Sequence, residues 1–280
     1  MKRHLLPLTG LLLLASLYIF NGCTKSIKGS GDSGKTGGTT TDTVTVSNCD
    51  STGKHINDSL WAFYPFAGNL VDSSGHNHTL TLVSGVSLGY DMWGNANNAL
   101  DFSGAPGAYA EIADGTSFSP AAFSVSLFIH YRVVGGFGFT KTNFSDATGT
   151  SFSIGMDPRN YIDTLRYAIG TTPNNCSTPN SSGVSIKNND SAHLYAWYHV
   201  VATFSNGVGK FYVNGELKNS ATMTFNTIPW CSNAPFILGN WWSLDDVVPA
   251  FNGKMDEIRI YSREITATEV AYLYNHFTTK

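Results

Sequence analysis

Charge is scarce in this 280-residue sequence, because Asp, Glu, Lys and Arg together make up only 13% of it and the formal net charge is −3. The sequence has no clustered basic stripe, which a nucleic-acid-binding surface would need. After residue 20 it also has no apolar run long enough to span a membrane. We therefore expect no nucleic-acid partner and no membrane-spanning segment in the rest of the chain.

The first 23 residues carry the features of an export signal. Lys2 and Arg3 form a positively charged start, and residues 5–20 are an apolar stretch too short to span a bilayer comfortably. The segment ends in Asn-Gly-Cys and resembles a bacterial lipoprotein signal, in which cleavage precedes a cysteine that carries the lipid. This resemblance implies a signal peptide over residues 1–22 and a lipidated Cys23, anchored at the outer membrane or cell surface outside the cytoplasm. The alternatives are an ordinary secretory signal and a membrane anchor.

Composition divides the remainder into a linker and one domain. Residues 23–55 are rich in Gly, Ser, Thr, Asp and Lys and contain no aromatic residue. Such a segment cannot bury enough apolar surface to offset its chain entropy, which predicts a flexible linker. Aromatic-rich alternating segments then fill residues 56–280, and about 225 residues is a normal size for a single all-β domain.

Alternation of apolar and polar residues predicts strands throughout this domain. Residues 123–131 and 197–204 alternate with a period of two, which predicts one buried face and one wetter face. Asn214 and Gly215 join two short strand-like runs and predict a hairpin, since a type I′ turn needs a positive φ at both positions. Thr266 and Glu269 have capping-box spacing and predict one short C-terminal helix. Many short strands separated by Gly, Pro and Asn turns predict a two-sheet antiparallel sandwich.

The run FNGKMDEIRIY at residues 251–261 places acidic residues inside an apolar strand pattern. Strict alternation puts Asp256 on the same face as Ile258 and Ile260, which predicts a carboxylate facing the core. Burying a carboxylate is costly unless it meets a cation, a positive side chain or backbone amides. Glu257 is predicted to face the opposite way and to form an exposed pair with Arg259.

Six segments of the domain, taken in order, resemble the laminin-G-like, concanavalin-A-like jelly roll. They are LWAFYPFAGNLVDSSGHN (60–77), WGNANNALDFSG (93–104), FSVSLFIHYR (123–132), WYHVVATFSNGVGKFYVNGEL (197–217), ILGN (237–240) and FNGKMDEIRIYSREITATEVAYLY (251–274). The resemblance implies two curved antiparallel sheets and often a bound calcium ion. It implies less about activity, because this fold carries lectins, carbohydrate-binding modules, adhesion domains and hydrolases.

The same resemblance indicates where calcium would bind. In this family the calcium site commonly joins an early oxygen-rich loop to the aspartate of the late strand. Calcium takes about six to eight oxygen ligands, so the predicted ligands are Asp72, Asp256 and Asn69, with Asp101 as a further candidate. The alternative is that Asp72 caps the turn before Gly75 and that Asp256 accepts hydrogen bonds from backbone amides.

Three cysteines remain after Cys23. Cys176 and Cys231 lie in loops rich in Asn, Ser and Pro and are predicted to pair in an oxidising compartment. A bridge closing such a long loop would stabilise the fold by roughly 4 kcal/mol in the chain-entropy model. Cys49 would then be left unpaired in the linker, and other pairings remain open.

Catalysis is not predicted. Retaining glycosidases on this kind of jelly roll resemble one another in presenting two glutamates on one strand, because glycoside hydrolysis needs two carboxylates at a defined separation. None of the five glutamates forms that motif, and the sequence shows no nucleophile elbow. A non-catalytic module is therefore expected, with glycoside hydrolysis as the lesser alternative.

Carbohydrate binding is the predicted function, with a carbohydrate or glycoprotein as partner. Sugar sites place aromatic rings against the apolar side of a pyranose and use carboxylates and amides for its hydroxyls, on loops over a rigid scaffold. The predicted site residues are Trp230, Trp241, Trp242, Asp245, Asp246 and Tyr161. By contrast, Trp61, Trp93 and Trp197 are predicted to be core residues. The competing hypothesis is a protein-binding adhesion domain in which the same loops contact a partner chain.

Overall fold

The computed structural model describes residues 53–143, 149–156, 164–170, 183–228, 230–231, 233–241 and 250–278. The chain divides into two units, Met1–Cys49 and Asp50–Lys280. The predicted signal peptide, Cys23, Cys49 and the linker up to residue 52 lie outside the described residues. None of the helices in the described ranges has the length and apolar character needed to cross a membrane.

Strands dominate the described part of the chain. They are β1 (Leu60–Tyr64), β2 (Leu80–Leu82), β3 (Val86–Gly89), β4 (Ala99–Ser103), β5 (Ala110–Ile112), β6 (Phe123–Tyr131), β7 (Gly136–Asn143), β8 (Gly149–Met156), β9 (Thr164–Gly170), β10 (Gly183–Ser191), β11 (Trp197–Ser205), β12 (Val208–Val213), β13 (Glu216–Thr222), β14 (Phe236–Leu238) and β15 (Asn252–Tyr261). A short 3-10 helix (Ala113–Ser117) follows β5, and the α-helix α1 (Ala267–Thr278) follows β15.

The strands form two antiparallel sheets, which confirms the predicted jelly-roll sandwich. The first sheet has eight strands in the order β13-β12-β11-β6-β15-β4-β3, with β1 also paired to β15. The second has seven strands in the order β10-β9-β8-β7-β14-β5-β2. The last strand, β15, thus lies in the middle of the first sheet, between β6 and β4.

Alternating side chains from both sheets fill the space between them. Val125, Leu127 and Ile129 of β6 meet residues such as Phe152 and Ile154 of β8, and all five are fully buried. This confirms the predicted buried face of β6. Each such side chain contributes about 1.5–3 kcal/mol by leaving water, so this shared core is a large part of what holds the sheets together.

The prediction of a wetter second face is wrong where α1 covers the first sheet. Val201 of β11 and Tyr261 of β15 pack against Val270 and Leu273 of α1 on that outer face. The polar side chain of His199 is also buried there. Strand alternation separates the two faces of a sheet, but it does not reveal that a later element covers the polar one.

Helix α1 begins with the predicted capping box. Thr266 Oγ1 accepts a hydrogen bond from the Glu269 backbone N–H at 3.2 Å, and Glu269 Oε2 accepts one from the Thr266 N–H at 2.7 Å. Arg263 donates two more bonds to the Glu269 carboxylate, at 2.9 and 2.6 Å. It also donates to the backbone carbonyls of His55 and Asp58. The start of α1 is thereby fastened to the first described turn of the domain.

The predicted hairpin joins β12 and β13. Asn214 and Gly215 have φ values of 52° and 82°, as a type I′ turn requires. Asn214 Oδ1 also accepts a hydrogen bond from the His199 backbone N–H at 2.9 Å. The turn is therefore tied to the neighbouring strand β11.

A buried lysine that the sequence analysis did not single out lies in the sandwich. Lys141 of β7 is fully buried and is opposite the core residues Phe152 and Phe236 on the adjacent strands. Its Nζ donates to the backbone carbonyls of Gly115 and Ala234, both at 2.5 Å. Burial lowers the pKa of Lys141 to about 7, because the charged form is poorly solvated there.

Candidate functional site

A β-bulge in β15 breaks the alternation on which the Asp256 prediction depended. The register with β6 shifts between Asp256 and Arg259, and Glu257 has a positive φ of 51°. One extra residue is thus inserted into the strand at this point. Met255 and Ile258 both belong to the core cluster, although residues three apart in a regular strand face opposite sides.

Asp256 consequently lies on the outer face of the first sheet, and the prediction that it faces the sandwich interior is wrong. It is opposite Phe128 of β6, whose ring packs against Phe277 of α1 at 3.9 Å between centroids. The predicted burial is correct, because Asp256 is only 2% exposed. Its Oδ1 accepts a hydrogen bond from the Glu257 backbone N–H at 2.7 Å, as the alternative interpretation expected.

Glu257 pairs with Arg259 as predicted, at 2.7 Å between Oε2 and Nη2. The prediction that this pair is exposed is wrong, since the Glu257 and Arg259 side chains are 7% and 14% exposed. The guanidinium also lies 3.8 Å from the centre of the Phe63 ring. Removing either side chain would leave the other charge buried without a partner, which is strongly destabilising. The two residues therefore depend on each other for their stability in the fold.

Asp72 fixes the loop after β1 through four hydrogen bonds. Its Oδ1 accepts from the backbone N–H groups of Phe63 and Ser74, at 2.9 Å each. Its Oδ2 accepts from the Ser74 hydroxyl at 2.8 Å and from the His78 N–H at 3.0 Å. Burial raises the pKa of Asp72, but these donors outweigh burial and lower it overall. Asp72 therefore caps a turn, as the alternative interpretation expected.

These contacts do not fit the predicted set of calcium ligands. Each carboxylate oxygen of Asp72 already accepts two hydrogen bonds. Asn69 Oδ1 accepts one from the Val71 N–H at 2.9 Å. Asp101 pairs with Arg132 at 2.7 Å. Among the described residues, no group of three or more His, Cys, Asp or Glu is arranged to hold a metal ion. Calcium binding by this chain stays a prediction.

A cavity of about 350 Å³ lies on the outer face beside Asp256. The loop after β1, the loop between β3 and β4, the bulge of β15 and the end of α1 form its walls. Its lining residues are Pro65, Ala67, Asp91, Trp93, Asn95, Asn98, Asp256, Glu257 and Phe277. The volume lies within the range of small-ligand sites, roughly 300–1,000 Å³, and aromatic rings stand beside carboxylate and amide groups.

Asp91 shapes one wall of this cavity. Its Oδ1 accepts from the backbone N–H groups of Trp93 and Asn95 at 2.9 and 2.8 Å, and its Oδ2 accepts from Asn95 Nδ2 at 2.9 Å. Gly94, with a φ of 84°, supplies the left-handed conformation that this tight turn needs. The turn is thus fixed by its own hydrogen bonds and sets the position of Trp93.

Trp93 is partly open to solvent, so the prediction that it is a core residue is wrong. It is 39% exposed, and its ring packs on Phe277 with 4.4 Å between centroids. Phe277 packs in turn on Phe128 of β6, so the rings of Trp93 and Phe277 are supported by the sheet. The cavity therefore has a supported aromatic wall. Sequence analysis could have found it from the Asp-x-Trp-Gly-Asn turn, whose aspartate and glycine fix the intervening tryptophan.

The two other tryptophans predicted to be core residues differ from each other. Trp61 packs against the sandwich core, as predicted. Trp197 lies on the outer face of the first sheet, beside His130 with 5.4 Å between ring centroids, and the prediction for it is wrong. Period-two alternation along β11 places Trp197 on the face opposite Val200 and Ala202, which belong to the core.

The loop residues predicted to bind sugar, here called the rim site, do not form an exposed site among the residues that the structure describes. The Trp230 ring packs on Phe118 and Phe123 of the core at 5.5 and 5.2 Å between centroids, and its Nε1 donates to the Pro120 carbonyl at 2.8 Å. Trp230 is therefore a packing residue rather than the ligand-facing ring that was predicted.

Trp241 also packs inward. It is 8% exposed, its ring lies 4.9 Å from that of Phe137, and its Nε1 donates to Thr150 Oγ1 at 3.0 Å. Its ring is thus not the exposed stacking face that the sequence predicted. The remaining predicted members of the site, Trp242, Asp245, Asp246 and Tyr161, lie outside the described residues.

Cys231 is 7% exposed, and its backbone N–H donates to Ser151 Oγ at 2.9 Å. Its predicted partner, Cys176, lies outside the described residues. The predicted pairing of the two cysteines therefore stays a prediction.

A serine and a histidine lie within hydrogen-bonding distance beneath α1, but solvent does not reach them. His199 Nε2 is 2.9 Å from Ser126 Oγ, and each residue is 1% exposed. The imidazole stacks between Phe128 and Tyr274. Burial, with a contribution from Arg259, lowers the pKa of His199 to about 3. The ring is neutral at physiological pH and inaccessible to a substrate, so the pair packs rather than catalyses.

The two antiparallel sheets place the chain in the jelly-roll class of sandwich folds, and the cavity of aromatic and oxygen-bearing side chains is its candidate binding site. The description of the matching family model, Laminin_G_3, is the concanavalin A-like lectin/glucanases superfamily, and the match covers residues 103–271. The chain belongs to this family.

Solved structures with the same fold include modules that differ in context. Domain 4 of AbnA, a GH43 extracellular arabinanase from Geobacillus stearothermophilus in complex with arabinotriose, is 24% identical with a TM-score of 0.59, over 77% of this chain and 98% of that one. The botulinum neurotoxin serotype D binding domain is 16% identical with a TM-score of 0.58, over 80% of this chain and 52% of that one.

A third structure is the binding domain of Paraclostridial Mosquitocidal Protein 1, which is 17% identical with a TM-score of 0.58. The alignment covers 80% of this chain and 53% of that one, so the chain corresponds to about half of each toxin domain. At these identities the likeness shows the fold alone. A comparison with curated protein sequences found no match.

Proposed function

We propose that this chain is a non-catalytic carbohydrate-binding module and that the sugar binds in the cavity. The observation that carries the proposal is the aromatic wall of Trp93 and Phe277 beside the polar groups of Asp91, Asn95 and Asn98. An aromatic ring packs on the apolar face of a sugar ring, while carboxylates and amides bond to its hydroxyls. The arabinanase domain, described in complex with arabinotriose, supports this choice.

The state of the carboxylates favours binding over hydrolysis. Glu257 is held by Arg259 at 2.7 Å, and Asp91 accepts three hydrogen bonds within its own turn. Glycoside hydrolysis needs one carboxyl group as a proton donor and a second as a nucleophile or base. Two of the three carboxylates that line the cavity are thus engaged by donors of the chain itself, which favours a binding role.

Replacing Trp93 with alanine is expected to weaken retention by polysaccharides about tenfold or more, which corresponds to about 1.4 kcal/mol or more of binding free energy. The substitution removes the ring that would stack on the sugar. Its effect on the melting temperature should be small, because the ring is 39% exposed. Affinity electrophoresis in gels containing arabinan, xylan, galactomannan or mixed-linkage glucan measures the retention.

The matched control for this experiment is Trp241→Phe, which changes a tryptophan of the predicted rim site and keeps an aromatic ring on Phe137. We expect this variant to be retained like the wild type. If Trp241→Phe loses retention and Trp93→Ala does not, the rim loops bind the glycan and the cavity does not. If no polysaccharide retains the wild type and a protein partner is captured through the loops, the adhesion hypothesis replaces the proposal.

We propose in addition that the mature protein is held at the outer membrane or cell surface through a lipid on Cys23. The support is the resemblance of residues 1–23 to a lipoprotein signal. Several acyl chains on one cysteine would anchor a protein durably, because each buried methylene contributes about 0.8 kcal/mol.

Replacing Cys23 with serine is expected to move the protein from the membrane fraction to the soluble extracytoplasmic fraction and to abolish labelling by a radioactive fatty acid. Fractionation followed by immunoblotting measures the first effect, and autoradiography measures the second. Cys49→Ser is the control, since the linker cysteine lies outside the signal. Persistent labelling of the Cys23→Ser protein would contradict the anchor.

A further inference from the structure

We propose that the glycan site extends beyond the cavity and binds a chain of several sugar units across the outer face of the first sheet. This inference depends on the proposed function. The extension, here called the aromatic strip, consists of Tyr195, Trp197, His130, Lys254 and Tyr90. The cavity alone would hold a single sugar unit, and the aromatic strip would contact the units that follow it in the chain.

The aromatic strip follows neighbouring positions on three strands. Trp197 of β11 is opposite His130 of β6, and His130 is opposite Lys254 of β15. Since adjacent strands are about 4.8 Å apart, these three positions span about 10 Å across the sheet. Helix α1 does not cover this row, because its last aromatic residue, Phe277, packs on Phe128, one row further along β6.

Two exposed tyrosines flank the row. Tyr195 is 70% exposed, and its ring lies 6.2 Å from that of His130 in an edge-on arrangement. The Tyr195 backbone has a positive φ of 63° and donates to the Tyr131 carbonyl at 2.8 Å. At the other end, Tyr90 is 59% exposed. Large aromatic side chains left this open beside the ends of strands are available for stacking.

The polar groups of the strip suit sugar hydroxyls. Lys254 Nζ donates to the Tyr90 carbonyl at 2.9 Å and lies 5.8 Å from the centre of the Tyr90 ring, so one protein contact leaves donor capacity for a ligand. Burial lowers the pKa of His130, and the neighbouring Lys254 and Arg132 lower it further, against the opposing effects of a backbone hydrogen bond and of Asp101. Because His130 Nδ1 is buried, a sugar hydroxyl could reach this ring only through Nε2, which donates or accepts according to the tautomer.

The strip and the cavity are continuous. Lys254 and Asp256 are two residues apart on β15 and lie on the same face of the sheet, ahead of the bulge. Tyr90 directly precedes Asp91, which lines the cavity. A sugar chain with one unit in the cavity would therefore pass directly onto the strip.

The composition of the strip favours a glycan over a protein partner. The imidazole of His130 and the ammonium group of Lys254 lie between Trp197 and Tyr90, so the strip is not one apolar patch. A protein-binding surface would instead present a contiguous apolar area on the order of several hundred Å². Separate rings with hydrogen-bonding groups between them match the repeating apolar faces and hydroxyls of a polysaccharide.

The test measures affinity against chain length by calorimetry with arabino-, xylo-, manno- and gluco-oligosaccharides of two to six units. For the series that binds, the wild-type affinity is expected to rise about tenfold or more from two to five units. Tyr195→Ala should lose this rise, so that its affinity no longer depends on length. Leu217→Ala, an exposed change on β13, should keep the rise. Trp93→Ala should weaken binding at every length.

The outcomes separate this inference from the proposed function. If binding requires Trp93 but has the same affinity at every length, the strip is overturned and the cavity stands. If the rise with length survives both Tyr195→Ala and Lys254→Gln, the chain takes another path and the strip is again overturned. If no oligosaccharide or polysaccharide binds, the proposed function itself fails.

Discussion

Replacing Asp72 with alanine is expected to lower the free energy of unfolding by about 3 kcal/mol or more, because hydrogen bonds to a charged group contribute roughly 1.5–3 kcal/mol each and the lost donors are not all re-solvated. The substitution would leave the backbone N–H groups of Phe63, Ser74 and His78 without their acceptor. Urea or guanidinium unfolding followed by tryptophan fluorescence measures the loss.

Asp58→Ala is the control, because the Asp58 side chain is 62% exposed and its ion-pair partner, His55, is 56% exposed. It should cost well under 1 kcal/mol. Asp72→Asn keeps one oxygen acceptor and should fall between the wild type and Asp72→Ala. A loss for Asp72→Ala no larger than that for Asp58→Ala would contradict the proposed role of Asp72.

The Asp72 carboxylate is also expected to make the free energy of unfolding fall as the pH is lowered. The pKa of Asp72 is lower in the folded protein than in the unfolded chain. Its contribution is therefore fully present above the unfolded pKa, near 4, and is lost as the pH falls through the folded value. Asp72→Ala should lack this part of the acid sensitivity. The measurement is repeated in calcium and in EDTA, because a loss confined to calcium-containing buffer would show a metal-ligand role instead.

Replacing Lys141 with methionine is expected to change how stability depends on pH between 7 and 9. The folded pKa of Lys141 is about 7, well below its usual value of 10.5. In this window the unfolded chain binds more protons than the folded protein, so wild-type stability gains from rising pH, by up to about 1.4 kcal/mol per unit. The methionine variant cannot gain in this way.

Guanidinium unfolding at pH 7, 8 and 9 measures this difference, which should amount to about 2 kcal/mol across the window. Lys218→Met is the control, because that lysine lies on the edge strand β13 and pairs with Glu216. It should show the same pH dependence as the wild type. If the wild type and Lys141→Met change in parallel from pH 7 to 9, the ammonium of Lys141 is stable in the core and the prediction is wrong.

Local rules were sufficient to predict the sandwich. Period-two alternation identified the buried side of β6, because adjacent side chains of a strand point to opposite faces. Asn214 and Gly215 predicted their turn, since both need a positive φ. Thr266 and Glu269 predicted the start of α1 through the reciprocal bonds of a capping box. Each of these signals depends on residues that are close in sequence, and each is confirmed.

The cavity could not be predicted in this way, because long-range packing forms it. Nothing in the sequence marks Glu257 as a residue with positive φ, so the bulge that turns Asp256 to the outer face stayed hidden. The exposure of Trp93 depends on Phe277, 184 positions later in the chain. Lys141 enters the core because carbonyls from two separate segments meet its ammonium group. Sequence spacing describes one element at a time, whereas these sites arise where three or four elements meet.

Arg263 has a consequence for how the domain opens. Its guanidinium bonds to the carbonyls of His55 and Asp58 and to the carboxylate of Glu269, and so connects the earliest described turn to the beginning of the final helix. The two segments should fray together as one cooperative unit rather than peel away separately. Amide hydrogen exchange in residues 54–59 and in the first turn of α1 should accordingly speed up in parallel when Arg263 is removed, even though more than 200 positions separate them.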